Sequence, residues 1–316
     1  MEANIPKLSI IIPTVGKRNV LDPTLERLKR AISGDDIEVI VVDDSADSHL
    51  SSAEVAPFIL LKGGGKGAAN ARNLGWKKAK ASLLLFLDDD IWITRGHLEK
   101  TFALHQEKSA KAYNFFWTYP DELMDQLGNN PFGRYILRRK LYSNEHRLDF
   151  DPKQKTGFVK MDGLTSQYFS IEKRWIEAVG GYDSIPFAGI EDLLLYQKLA
   201  DQGVTVFLSL DDIVYQYEVN KLSSNSLVSR YRTGALTRRV AVNNGHPEHG
   251  VKFSSIQKAK GALGNRIEPL LKIAERRLPF GKLYERVINY RLFIATHRGF
   301  YLDEIPLEFR KKKDNP

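Results

Sequence analysis

The chain has 316 residues, 42% of them apolar and 27% charged, which is enough to bury a core in one large domain or two modest ones. It has no cysteine, so disulfides, thiolate catalysis and cysteine-based zinc sites are excluded. The net charge of +8 is uneven: from Arg230 to Pro316, 19 Lys/Arg stand against 8 Asp/Glu (19 − 8 = +11), which leaves −3 for residues 1–229.

Leu8-Ser-Ile-Ile-Ile-Pro13 reads as a first buried strand, ended by Pro13 and Thr14. Asp22-Pro23 resembles a helix cap followed by proline at the first helical position. Leu25, Leu28 and Ile32 give that helix an inward face, and Gly34 closes it. Residues 38–42 form a second buried strand that runs into Asp43-Asp44-Ser45, and residues 57–61 a shorter third. Lys62-Gly-Gly-Gly-Lys-Gly67 then makes a loop in which backbone amides can approach a ligand, with an alanine-rich helix behind it. The loop matches neither the Walker A pattern nor G-x-G-x-x-G.

Residues 83–91, Leu-Leu-Leu-Phe-Leu-Asp-Asp-Asp-Ile, are the centre of the reading. Five apolar residues suggest a strand buried on both faces, of the kind whose carboxyl end holds ligands in α/β folds. Strand alternation puts Asp88 and Asp90 on one side and Asp89 on the other. Clustered carboxylates repel one another, and a divalent cation resolves the clash; an oxygen-only donor set suits Mn²⁺ or Mg²⁺. The blander alternative is a solvated acidic turn.

Further on, Leu98, Phe102 and His105 mark a helix face, and residues 112–119 an aromatic-rich core strand. Packing is the commoner use of such rings, and sugar stacking by Trp117 or Tyr119 the sharper one. Residues 120–157 read as a polar, basic, extended or mobile excursion, and residues 158–170 return to strand character. A short helix over 172–179 stops at Gly180-Gly181, and another helix begins near Glu191-Asp192, where carboxylates ordinarily serve the helix dipole. Residues 204–208 and 213–217 are two more strand candidates. Beyond Ser223 the chain reads as helical and basic, with an inward stripe at Leu283, Val287, Tyr290 and Ile294. Arg310-Lys-Lys-Lys313 ends the chain with a basic run suited to phosphate or anionic lipid. No stretch is apolar enough to cross a bilayer, and the opening residues lack a secretion signal, so a cytoplasmic protein is expected.

Five features occur in order: Pro13-Thr14, Val42-Asp-Asp-Ser45, Ala71-Arg-Asn-Leu-Gly75, Leu87-Asp-Asp-Asp90 and Gly189-Ile-Glu-Asp192. As an ordered set, spanning roughly residues 7–220, they resemble the inverting family 2 glycosyltransferases of the GT-A fold. The resemblance implies an α/β fold with a mostly parallel central sheet flanked by helices. It also implies a catalytic domain over 1–222, with a donor half at about 1–118 and an acceptor half at about 119–222. A basic, mainly helical extension fills 223–316.

The same resemblance assigns Pro13, Thr14, Asp44, Arg72, Asp88 and Asp89 to the nucleotide-sugar donor. Asp90 becomes the ligand of Mn²⁺ or Mg²⁺, and Asp192 the general base. Glu191 and Trp117 fall on the acceptor side. The implied donor is a UDP-sugar and the implied acceptor a glycan or lipid-linked hydroxyl, used in surface polysaccharide or glycoconjugate synthesis. The basic C-terminal region would then rest on the inner face of an anionic membrane, and no nucleic acid is expected.

Two positions depart from the pattern. Gln197 stands where many relatives carry arginine, and Tyr215-Gln216-Tyr217 where many carry a metal-side histidine. The Gln-x-x-Arg-Trp motif of processive relatives is absent after residue 220, so a single sugar is transferred per event. Beside a catalytically inactive sugar-nucleotide binder, two alternative activities stay open on the residues alone. One is a phospho-receiver domain, suggested by the acidic pair at 43–44 and the acidic strand end near 88. The other is a sugar nucleotidyltransferase.

Overall fold

A computed structural model describes residues 5–306 except 33, 35, 48, 108, 153–154, 186–188 and 220–221; the side chains of 18 and 147 are also outside the description. The basic run at 310–313 lies outside the described residues. The chain divides into two compact units, one of residues 1–121, 140–184 and 191–218, the other of 122–139, 185–190 and 219–316.

In order, the first half contains β1 (Leu8–Thr14), α1 (Arg18–Ala31), β2 (Ile37–Asp43), α2 (Ser52–Val55), β3 (Ile59–Lys62), α3 (Ala68–Lys78), β4 (Leu83–Leu87), β5 (Ile91–Trp92), α4 (Arg95–Leu104) and β6 (Lys111–Thr118). There follow α5 (Asp121–Leu127), α6 (Pro131–Arg138), β7 (Phe158–Lys160), β8 (Tyr168–Glu172), α7 (Lys173–Ala178), α8 (Glu191–Asp201), β9 (Thr205–Gln216), α9 (Ser224–Asn243), α10 (Ser255–Arg277) and α11 (Lys282–His297).

One sheet organises the first unit. Its order is β3-β2-β1-β4-β8-β6-β9-β5, with β7 also paired to β9. β3, β2, β1 and β4 are mutually parallel, so their carboxyl ends share one edge. β8 then enters antiparallel between β4 and β6. β1 and β4 are buried at every position, as strands covered on both faces must be.

Helix α3 lies close against β1 because Gly75 has no side chain. A Cβ there would stand 2.3 Å from Ile11 Cγ2. Gly75→Ala is therefore expected to cost about 1–3 kcal/mol by overpacking, read as a lower urea midpoint. An unchanged midpoint would show that the helix can simply shift outward.

Several expectations need correction. Helix α1 begins at Arg18, not after Asp22, and Pro23 lies inside it. Burying Val20 and Leu21 beside Leu25 and Leu28 draws the helix back a turn, although Pro23 cannot donate to its ladder. Residues 120–157 are not an extended excursion; they contain α5, α6 and a 3₁₀ turn at Asn144–Arg147. The two strands expected at 204–217 are one, β9. Its register against β6 jumps from Phe115↔Ser209 to Phe116↔Ile213, so the polar Asp211-Asp212 step is a bulge and not a strand end.

The second unit is helical. The inward face of α11 is Tyr284, Ile288, Arg291, Leu292 and Ala295, while Leu283 is 57% exposed. The expected 4-3-4 spacing holds one residue further along. Arg291 disguises this face by placing a charge in its middle. It is 1% exposed and bonds Glu268 at 3.0 Å, Asn225 at 2.9 Å and Glu275.

Candidate active site

The shared strand edge collects what the sequence singled out. β1 ends at Thr14, β2 at Asp43, β3 at Lys62 and β4 at Leu87. Ile11 pairs with Phe86, and carrying that register three residues on brings Thr14 opposite Asp89. The Thr14 hydroxyl indeed donates to Asp89 Oδ2 at 2.5 Å. Strand geometry stops at Leu87, and the Ile91 amide turns back to the Asp88 carbonyl at 3.2 Å. The expected alternation of Asp88, Asp89 and Asp90 therefore gives way to a turn that sends each carboxylate to its own partner.

Asp43 and Asp44 shape the loops at this edge. Asp43 accepts from the Ser45 amide, the Ser45 hydroxyl and the Leu50 amide at 3.0, 2.6 and 3.1 Å. Asp44 accepts from the amides of Lys66 and Gly67 at 3.0 and 2.7 Å, which pins the glycine loop just before α3. Gly63 permits that approach, since a Cβ there would lie 2.7 Å from Asp44 Oδ1. Pro13 is buried in β1 opposite Val42.

Arg72, on α3, joins the last two motifs of the series. It is 5% exposed. Its Nη2 donates to Asp88 Oδ1 at 2.8 Å, its Nη1 lies 3.7 Å from Glu191 Oε1, and its guanidinium stands 5.6 Å from the Tyr182 ring centre. Burial opposes the charge, but Asp88, Tyr182, Asp192 and Glu191 outweigh it and hold the guanidinium above its ordinary pKa. Nε and Nη1 are buried and make no hydrogen bond. A buried Arg with two unused donors is costly unless an anion completes it.

Asp192 opens α8 and is held from two sides by one residue. Ser166 donates its amide to Asp192 Oδ2 at 3.0 Å and its hydroxyl to Asp192 Oδ1. Tyr182 lies 2.7 Å from that hydroxyl; burial pushes its phenol well above the usual pKa, so it stays protonated and donates to Ser166. The neighbouring residue reaches Asp88 through its backbone and Asp90 through Gln216. The Gln167 carbonyl accepts from the Asp88 amide at 3.1 Å, and its side chain donates to Gln216 at 3.0 Å. Gln216 in turn reaches Asp90 at 3.4 and 3.5 Å. Asp90 is 2% exposed. Two consecutive residues, Ser166 and Gln167, thus connect Asp192 with Asp88 and Asp90. Trp117 is buried against Tyr119 and His146.

An Arg with unused donors, a buried carboxylate with a carboxamide beside it, and a second carboxylate held by Ser166 are groups suited to an anion and to a proton acceptor. Residues 9–162 match the family described as Glycosyl transferase family 2.

That span, just under half of the chain, carries a family 2 glycosyltransferase domain.

An uncharacterized glycosyltransferase of Haemophilus influenzae is 35% identical over 103 residues, which cover 32% of this chain and 35% of that one. The UDP-Glc:alpha-D-GlcNAc-diphosphoundecaprenol beta-1,3-glucosyltransferase WfaP of Escherichia coli is 22% identical over 248 residues, covering 76% and 88%. The chain thus spans about a third of the length of the first relative and most of the second. The mannosyltransferase PcManGT from Pyrobaculum calidifontis, solved in complex with GDP-Man and Mn²⁺, aligns over 95% of this chain and 88% of that one. The TM-score is 0.50 at 15% identity, a likeness of GT-A fold.

The glycosyltransferase domain and the glycosyltransferase relatives set aside the phospho-receiver and nucleotidyltransferase alternatives. Sequence reasoning missed Ser166, Gln167, Tyr182 and Gln216. None belongs to a recognised motif. Of the four, only Gln216 gave a signal, because it falls in the Tyr215-Gln-Tyr217 stretch where relatives carry histidine.

Proposed function

We propose that the protein transfers a single sugar, with inversion, from a UDP-sugar to a hydroxyl of a glycan or lipid-linked acceptor, using Mn²⁺ or Mg²⁺. The arrangement around Arg72 carries this reading: a buried guanidinium with unused donors, set between Asp88 and Glu191, is suited to a diphosphate. The UDP preference is supported by the relative named as a UDP-Glc transferase.

The cation fits the residues present. Asp90 offers a buried carboxylate, a hard oxygen donor of the type these cations take, and Gln216 faces it with its carboxamide NH2 at 3.4 and 3.5 Å. When bound, the cation neutralises charge growing on the departing nucleoside diphosphate. Pro13, Thr14, Asp44, Asp88 and Asp89 serve the donor in this reading, and Arg72 receives its phosphates. Ser166 holds Asp192 in a fixed rotamer, and Asp192 takes the proton of the attacking hydroxyl. One base suffices because displacement is direct and no covalent sugar forms. Glu191 and Trp117 are assigned to the acceptor side, residues 1–118 to the donor half, 119–222 to the acceptor half, and 223–316 to a supporting extension. A lipid-linked acceptor places the work on the cytoplasmic face of a membrane.

A thermal-shift panel of sugar nucleotides, with and without Mn²⁺, tests the donor and metal assignments together. A saturating donor at a hundred times its Kd adds about 2.7 kcal/mol of stability. Asp90→Ala is expected to remove the part of that gain which needs Mn²⁺. If no sugar nucleotide gives a metal-dependent shift and no nucleoside diphosphate is released with any acceptor, the proposal is wrong.

A further inference from the structure

Among the described residues no helix is long and apolar enough to cross a membrane. Helix α10 nevertheless carries a surface that water does not favour. Ile256, Leu263, Leu270 and Ile273 are 69, 59, 65 and 48% exposed. Helical periodicity puts these four within an arc of about 100°. The opposite side of α10 is the packed one: Gly261 and Gly264 are buried, and a Cβ at either would meet His297 or Ile294 of α11 within 3 Å.

Charge on this helix is sorted as sharply as hydrophobicity. Its only acids, Glu268 and Glu275, both bind the buried Arg291. What remains outside is cationic: Lys258, Lys260, Arg266, Lys272, Arg276 and Arg277 are all exposed. A surface helix with large apolar residues on one stripe and outward charge that is only Lys and Arg has the composition of a helix that lies in a bilayer interface.

We infer that α10 docks the protein on an anionic lipid surface, with Ile256, Leu263, Leu270 and Ile273 entering the acyl boundary and the flanking cations meeting lipid phosphates. A second copy of the chain suits this face poorly, because six like charges with no outward acid would be brought together. The sequence pointed to the α11 stripe and the terminal basic run instead; on α11 that stripe is partly buried, and the exposed apolar residues are concentrated on α10. The inference rests on the lipid-side acceptor reading for its purpose only.

Flotation of the full chain with phosphatidylcholine vesicles, with and without phosphatidylglycerol, tests it. The protein is expected to float with the anionic vesicles, and less so in high salt. Leu263→Glu combined with Leu270→Glu is expected to lower the bound fraction roughly tenfold. The matched change Leu283→Glu on α11 should leave it unchanged. Both changes are at exposed positions, and an unaltered thermal unfolding curve checks that the fold is intact. Equal flotation of wild type and the double variant, or no preference for anionic vesicles, overturns the inference. So does a wild-type dimer in light scattering that the double variant dissolves. Mn²⁺-dependent sugar-nucleotide binding in the same preparations reads the transferase proposal separately, so either can fail alone.

Discussion

Asp192→Asn should leave sugar-nucleotide affinity nearly unchanged and slow transfer by about 10²–10⁴-fold, the usual contribution of a positioned general base. The two quantities separate because Asp192 is bonded to Ser166 through its amide and hydroxyl and not to the glycine loop or to Asp88. The asparagine retains shape, and its one carbonyl oxygen can still accept from the Ser166 amide. What it loses is a site for the acceptor's proton. Single-turnover transfer measured beside calorimetric donor binding will show the split. Full-speed transfer by the variant would remove Asp192 from its assigned role and send the search to Glu191, the adjacent buried carboxylate.

Arg72→Met should damage both stability and donor binding. The substitution keeps most of the length and all of the apolar contact but leaves Asp88, Glu191 and Asp192 without the cation they face. Removing one partner of a buried ionic group costs about 3–5 kcal/mol. The lower end is expected here, because Asp88 is 26% exposed and water can screen it. The urea midpoint should fall accordingly, and the metal-dependent thermal shift with sugar nucleotides should vanish. Arg72→Lys should recover much of the stability and little of the shift, since a single ammonium cannot supply the forked donors. An unaltered midpoint in Arg72→Met would mean that the three acids are neutralised some other way.

Much of the strand edge is legible in the amino-acid sequence. The runs at 8–13, 38–42 and 83–87 are apolar throughout, and such runs have few structural uses besides strands buried on both faces. Once those strands are parallel, the positions of Thr14, Asp43 and Asp88 on one edge follow from topology. The side-chain pairings did not follow. Alternation along a strand was applied to Asp88, Asp89 and Asp90, but a turn had already replaced the strand. Ser166 and Gln167 were invisible because their work depends on β8 entering antiparallel beside β4, a long-range pairing that no local pattern announces. Arg291 misled in the opposite direction. A charge at the centre of a helix face argues against burial unless its partners are known, and both acidic partners lie on another helix, 16 and 23 residues away.

The path of the backbone has its own consequence for how this protein can be divided. Residues 122–139 belong with the C-terminal helices: Tyr135 donates to Asn289 at 2.8 Å, and Arg138 pairs with Glu285 at 2.9 Å. The polypeptide then goes back to the sheet, leaves again for 185–190, and returns to supply Glu191 and Asp192. No single scission frees an autonomous sheet module. A fragment stopped at residue 222 would strand α6 without Asn289 and Glu285, so the C-terminal helices must be inherited, expressed and engineered together with the sheet.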